Sequence, residues 1–257
     1  MKYFLICSVA FFTSGLTLFS GFGLGTLLLP VFAIFFPLEV AVSLTAVVHF
    51  LNNIFKLALL GKHADRKVVI AFGVPAILAA FLGAQALVWL SDLKPLGHYQ
   101  TFGRDLYVLP VKLSVGLLMI LFAVLEVIPA LGKLSFDRKY LPLGGILSGF
   151  FGGLSGNQGA LRSAFLIRCG LSKEIFIATG VMIACLVDVT RLGVYAAKFS
   201  VADIRGNATL LAAATVSAFF GAWAGNRLLH KVTIRAVQWT VAAMLSVIAV
   251  GLASGII

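Results

Sequence analysis

Apolar residues run through this chain in long blocks, and the blocks set its architecture. Eight hydrophobic segments follow one another, at 3–36, 38–60, 68–90, 108–131, 141–168, 174–197, 203–226 and 234–257. Each is long enough to cross a bilayer, since a helix needs about 20 apolar residues for a hydrocarbon core of roughly 30 Å. Segment 3–36 is too long for one straight crossing, because a helix of that length would reach about 51 Å. The gaps between segments reach only about 20 residues, too short for a separate soluble domain. The pattern therefore predicts an all-α integral membrane protein, with 1–257 forming a single transmembrane domain.

Glycine punctuates two of the segments. Gly21-Phe22-Gly23-Leu24-Gly25-Thr26 interrupts the first, and Gly152-Gly153-Leu154-Ser155-Gly156-Asn157-Gln158-Gly159 interrupts the fifth. Broken backbone survives in a membrane only where it is buried in protein or lines a cavity. Paired interruptions in two halves are a sequence pointer to a transporter binding site. The halves also align: with an offset of 135, Glu39, Asn53, Lys56 and Gly21 fall on Glu174, Asp188, Arg191 and Gly156. After a three-residue insertion, Phe81 and Gly83 fall on Phe219 and Gly221. Two homologous repeats are expected, about 1–131 and about 139–257, each with a broken or re-entrant first helix and three further transmembrane helices.

Counted as eight crossings, the repeats are parallel. If each first segment turns back at its glycines, there are ten helices in a five-plus-five inverted repeat. Charge separates the two counts. Of the 20 Lys and Arg, three (Lys56, Arg162, Arg191) lie inside apolar segments away from the segment ends. The other Lys and Arg divide nine to eight in the parallel arrangement and eleven to six in the inverted one. The inverted count obeys the positive-inside rule better and places both termini outside.

Composition agrees with the segments: 61% of residues are hydrophobic and 11% charged, and the mean hydropathy is +1.07. The net charge of +11 is spread over many loops rather than gathered in one stripe, which points to lipid headgroups and orientation and away from nucleic acid. Met1-Lys2 before an apolar run imitates a secretory signal, but the run continues without an Ala-x-Ala site, so it is expected to be retained. Cys7, Cys169 and Cys185 have no metal-ligand spacing and are expected as packed free thiols, with no metal and no cofactor.

A charge near the bilayer centre costs about 2.5–3.5 kcal/mol on insertion scales, so each one needs a reason. Lys56 and Arg191 occupy equivalent positions, with Asn53 and Asp188 one turn earlier on the same faces. Those faces either line a central cavity or, for Asp188 and Arg191, pair with each other. Lys56 either serves the cavity or snorkels from a helix end. Asn52 and His49 share its neighbourhood, where a lone His is more often packed and hydrogen-bonded than a ligand. Arg162 falls in the first turn after Gly159, where a guanidinium beside freed backbone N–H groups describes an anion site. Gln158, Asn157 and Ser155 add neutral donors. The alternative is an ion pair of Arg162 with Glu126 or Asp188. Gly145, Gly149, Gly152 and Gly156 form a small-residue stripe, as do Gly221 with Gly225 and Gly251 with Gly255, read as helix packing. The gap at 91–110 is a candidate lid or partner contact.

The run 153–163 (Gly-Leu-Ser-Gly-Asn-Gln-Gly-Ala-Leu-Arg-Ser) and the run 178–195 resemble signatures of the TauE/SafE sulfite-exporter family, and 21–30 is similar to its Gly-rich opening. The first half departs from the usual Gly-Gly-Gly run at Phe22 and Leu24. The resemblance implies a secondary transporter, not an enzyme, that moves a small anion (sulfite, sulfoacetate or another organosulfonate) across the bacterial inner membrane by alternating access. The resemblance implies coupling to the proton or the potential gradient, so a coupling proton is carried as one expectation and a homodimer as a further one. Substrate-binding positions are expected at Gly23, Gly25, Thr26, Asn52, Asn53, Lys56, Ser155, Asn157, Gln158, Gly159, Arg162, Asp188 and Arg191. The resemblance supports Asn157, Gln158, Arg162, Asp188 and Arg191 among them. Two other readings compete. One is an anion channel. The other is a rhomboid-like intramembrane serine protease built on Gly153-Leu154-Ser155-Gly156, which needs a base near Ser155; after Ser155 the sequence offers only His230.

Overall fold

The computed structural model describes every residue except 21–23, 61–62, 102, 129–134, 200–204, 229–233 and 257. The described backbone is helical almost throughout: α1 (Lys2–Ser20), α2 (Leu24–Ala33), α3 (Leu38–Leu60), α4 (Arg66–Ser91), α5 (Pro110–Val127), α6 (Leu141–Ser155), α7 (Gly159–Leu166), α8 (Lys173–Lys198), α9 (Ala208–Leu228) and α10 (Ile234–Ser254). Four stretches are long and apolar enough to cross a membrane: Leu38–Ala58, Arg66–Ser91, Lys173–Lys198 and Ala208–Gly225. The protein is an all-α membrane protein in which large apolar side chains such as Phe81, Trp89, Phe220 and Trp223 stand exposed on the outer surface, where hydrocarbon is their natural surrounding.

Local chemistry sets the helix ends. Asp65 accepts from Lys67 N and Val68 N at 2.9 and 3.0 Å and starts α4. Ser172 accepts from Ile175 N and starts α8, and Pro110 opens α5. Each satisfies or dispenses with a donor that the first helical turn leaves unpaired. The backbone N–H of Asp65 donates to Thr179 Oγ1 at 2.9 Å and ties the start of α4 to α8.

The two long segments each become a pair of elements. Segment 141–168 divides into α6 and α7, because Gly156 takes a left-handed conformation (φ +80°) that ends α6, one that glycine adopts without steric cost. Segment 3–36 divides into α1 and α2. Of its interruption, Gly21, Phe22 and Gly23 lie outside the described residues. Neither α2, of 10 residues, nor α7, of 8, could span a membrane alone, at about 15 and 12 Å. All ten residues of α2 are buried, as expected of a helix that is apolar on every side.

Packing joins elements across the chain. α1 lies against α9, α6 against α4, α5 against α10 and α3 against α8. Glycine makes the first two crossings close. A Cβ built at Gly145, Gly149 or Gly153 would land on the carbonyl oxygen of Phe72, Ala76 or Ala80, and one at Gly83 on that of Phe150. On the other side, a Cβ at Gly221 would land on the Phe11 carbonyl oxygen and one at Gly225 on Gly15. The face of α6 toward α4 is thus Gly145, Gly149 and Gly153. Gly152 of the expected stripe faces Gln158 and Val187 instead, because a spacing of four keeps residues in one row and a spacing of three drifts off it.

The gap at 91–110 holds a two-stranded antiparallel hairpin, β1 (Gly97–Thr101) with β2 (Arg104–Val108), which the segment pattern did not predict. The Tyr99 hydroxyl donates to Ser254 O at 2.7 Å, and Gly255 (φ +78°) packs on the Tyr107 carbonyl. The hairpin therefore sits on the C-terminal end of α10.

Candidate functional site

The intramembrane polar residues meet in one buried cluster built from α3, α8 and the α6–α7 break. Asp188 stands at its centre with no exposure. One turn on, Arg191 donates from Nε to Asp188 Oδ1 at 3.0 Å, and its Nη2 lies 2.8 Å from the same oxygen. The other carboxylate oxygen, Oδ2, is 2.6 Å from His49 Nδ1 and accepts from Asn53 Nδ2 at 3.2 Å. Gln158 Nε2 reaches Oδ1 at 3.4 Å. One carboxylate thus gathers α3, α8 and the break. Charge-assisted hydrogen bonds of this kind are what make a buried anion tolerable.

The break supplies the second layer. Gly156 turns left-handed, and a Cβ there would stand 2.8 Å from Arg191 Nη1, so the guanidinium lies against bare backbone. Gly25, near the start of α2, approaches from the other side: a Cβ there would stand 3.2 Å from Gly156 O and 3.8 Å from both His49 Cδ2 and Thr45 Cγ2. Asn157 donates to Ser155 Oγ at 3.2 Å, and Ser148 Oγ donates to Gln158 O at 3.0 Å. Tyr195 donates its hydroxyl to Gly153 O. Several buried polar atoms make no hydrogen bond: Arg191 Nη1, Asn52 Nδ2, Thr45 Oγ1 and Asn157 Oδ1, whereas Arg191 Nη2 is paired with Asp188. Such groups are rare in a folded interior and ask for an explanation. Donors predominate among them.

Asn53, Gln158, Asp188 and Arg191 are joined directly. Gly25, Ser155, Asn157 and Gly159 are buried around the break, and Thr26 is buried in the first turn of α2. Asn52 is buried and accepts from Ser14 Oγ at 2.9 Å, which links α1 to α3. Lys56 is buried rather than extended to a helix end. Arg162 is half-buried and donates to Gln158 Oε1 at 3.3 Å. Its Nε is 3.4 Å from where a Cβ on Gly180 would stand, so it lies along α8. It enters the cluster through Gln158. Gly23 and the Glu126 side chain lie outside what is described.

His49 is the member that the expected set omitted. Its signal was present: His49, Asn53 and Lys56 recur at spacings of four and three along one face of α3. Ser155 donates to its own helix at Phe151 O, 3.1 Å away, while His49 is engaged by Asp188. The three cysteines are free, and burial pushes the Cys169 thiol up, which keeps it a poor nucleophile.

The described residues hold no cluster of His, Cys, Asp or Glu suited to a metal ion. What the arrangement offers is a desolvated patch of hydrogen-bond donors, held in place by one carboxylate, beside an interruption in a membrane helix. A family model described as sulfite exporter TauE/SafE matches residues 5–252. No curated protein and no solved structure matches the chain. With a match over nearly its whole length, and helices long and apolar enough for a bilayer, the chain belongs to the TauE/SafE family of multi-pass membrane transporters.

Proposed function

We propose that the protein is a secondary transporter of the bacterial inner membrane that moves a small sulfur oxyanion or organosulfonate, such as sulfite or sulfoacetate, by alternating access. The observation that carries this reading is the Arg191 guanidinium, fully buried, whose Nη1 makes no hydrogen bond and lies against the left-handed turn at Gly156. Planar donors of this kind match an oxyanion. The surplus of cations (Lys56, Arg162 and Arg191 against Asp188) disfavours a cation as cargo. The approach of Gly25 to Gly156 supports a substrate position shared by the two interrupted segments.

The helix count and the packing support an inverted five-plus-five repeat. α1 through α5 fall in the first half and α6 through α10 in the second. The pairings α1 with α9 and α6 with α4 exchange under a two-fold operation that relates the halves, while α3–α8 and α5–α10 map onto themselves. Such repeats rock against each other around a fixed site.

Exchange of radiolabelled sulfite or sulfoacetate by purified protein in liposomes tests the reading. Arg162→Ala, which removes the cation held at Gln158, is expected to weaken exchange by about ten- to a hundredfold, the worth of a charge-assisted hydrogen bond, with the protein still folded. Full exchange by this variant would take Arg162 out of the mechanism. Flux that saturates and runs uphill marks a carrier; flux that does neither marks a channel.

A further inference from the structure

We infer that His49 and Asp188 together form a proton-binding site that couples anion movement to the proton gradient, an inference that rests on the transporter reading above. The pair bridges the halves, with His49 on α3 and Asp188 on α8, at 2.6 Å between Nδ1 and Oδ2. Both side chains are buried. Imidazole is the side chain whose charge ordinarily changes near neutral pH. Nothing in the binding reading requires such a group here.

The geometry supplies a route from that proton to the anion site. Asp188 divides its two oxygens. Oδ2 serves His49 and Asn53, while Oδ1 serves Arg191 and Gln158. With His49 neutral, the carboxylate charge is left to Arg191, and the guanidinium is largely compensated. With His49 protonated, imidazolium and guanidinium share one carboxylate. The cluster gains one positive charge, and Arg191 has more to offer an anion at Gly156. Proton and anion are therefore bound together and released together. Gln158 carries the same change to the break, since it touches Asp188 and holds Arg162.

Other charged and titratable groups surround this pair. Arg191 and Arg162 act on His49 electrostatically, Lys56 interacts with Arg162, and Cys185 and Tyr195 face Asp188 from α8. α2 and α6 contain no titratable side chain, and α9 contains only Arg227. Among the described residues of the cluster, Asp188 is the one acid and His49 the one imidazole.

The test uses full-length protein in liposomes with sulfoacetate, both of whose acid groups stay ionised between about pH 5 and 8, so that any pH effect in this interval belongs to the protein. For the wild type, an acid exterior is expected to drive accumulation, with protons entering alongside, read by an internal pH dye. His49→Gln is expected to lose acid-driven accumulation about tenfold more than it loses exchange at equal pH and concentration. Accumulation like the wild type's, or equal loss of both activities, overturns the inference. Infrared difference spectra of the purified protein give a readout independent of transport. Beyond the signal shared with His49→Gln, which keeps the other three histidines, the wild type is expected to show a histidine and a carboxylate band that shift between about pH 5 and 8. A wild type whose band shifts are the same as those of His49→Gln overturns the proton site, even if it exchanges sulfoacetate. A wild type that exchanges neither sulfoacetate nor sulfite refutes the transporter reading instead, and the coupling role falls with it.

Discussion

Asp188→Asn is expected to destabilise the folded protein by about 3–5 kcal/mol, the cost of removing one partner from a buried ion pair. Neither Asp188 nor Arg191 has any exposure. The amide keeps the shape of the carboxylate but leaves the guanidinium uncompensated in a low-dielectric interior. The amide also has one acceptor oxygen where the carboxylate had two, so it cannot serve both Arg191 and His49. In a chain of this size, a loss of that order lowers the melting temperature by about 10 °C or more, readable by thermal scanning in detergent. The double variant Asp188→Leu with Arg191→Met separates two explanations. It is expected to regain most of the lost stability, because a well-packed apolar pair often replaces a buried ion pair without penalty, while anion exchange stays lost. An Asp188→Asn protein that melts with the wild type would mean that the carboxylate does not hold Arg191 in place.

The second large effect is steric. Gly149→Val is expected to abolish the close crossing of α6 on α4, because the first added carbon would stand only 2.2 Å from the Ala76 carbonyl oxygen. Core insertions that side chains can absorb cost about 1–3 kcal/mol. Here the obstacle is backbone on both sides, so the expected loss lies at or above the top of that range. It should appear as loss of the monodisperse peak in size-exclusion chromatography. Gly193→Ala provides the opposite sign. Gly193 lies within α8 with nothing near its missing Cβ, so alanine there is expected to stabilise by about 0.5–1 kcal/mol.

Much of this was legible in the sequence, and the parts that were not share a cause. The α6–α7 break could be read because Gly-Asn-Gln-Gly at 156–159 is a local signal: it needs no partner to exclude a continuous helix. Asp188 and Arg191 could be paired because a spacing of three places both on one face of one helix. His49 was a different matter. Its partner lies 139 residues away, and the register of α3 against α8 is fixed by packing of the whole molecule, which no local pattern encodes. The phase of the glycine row on α6 failed to emerge for the same reason. The sequence offers glycines at 144, 145, 149, 152, 153 and 156, and only the approach of α4 decides which of them form the contact. The hairpin at 97–108 was missed because two five-residue strands against one helix end carry too little alternation to stand out from a polar gap.

The pairing of α1 with α9 has a consequence for how the chain is made. When α1 leaves the ribosome, the surface that will cover Phe11 and Gly15 does not yet exist; it arrives with Gly221 and Gly225. At about 5–20 residues per second, that wait lasts on the order of ten seconds or more. Over this interval α1 must be held by lipid or by the insertion machinery. Stalling translation ahead of α9 would strand an incomplete bundle with its first helix unclaimed, a natural substrate for membrane quality control.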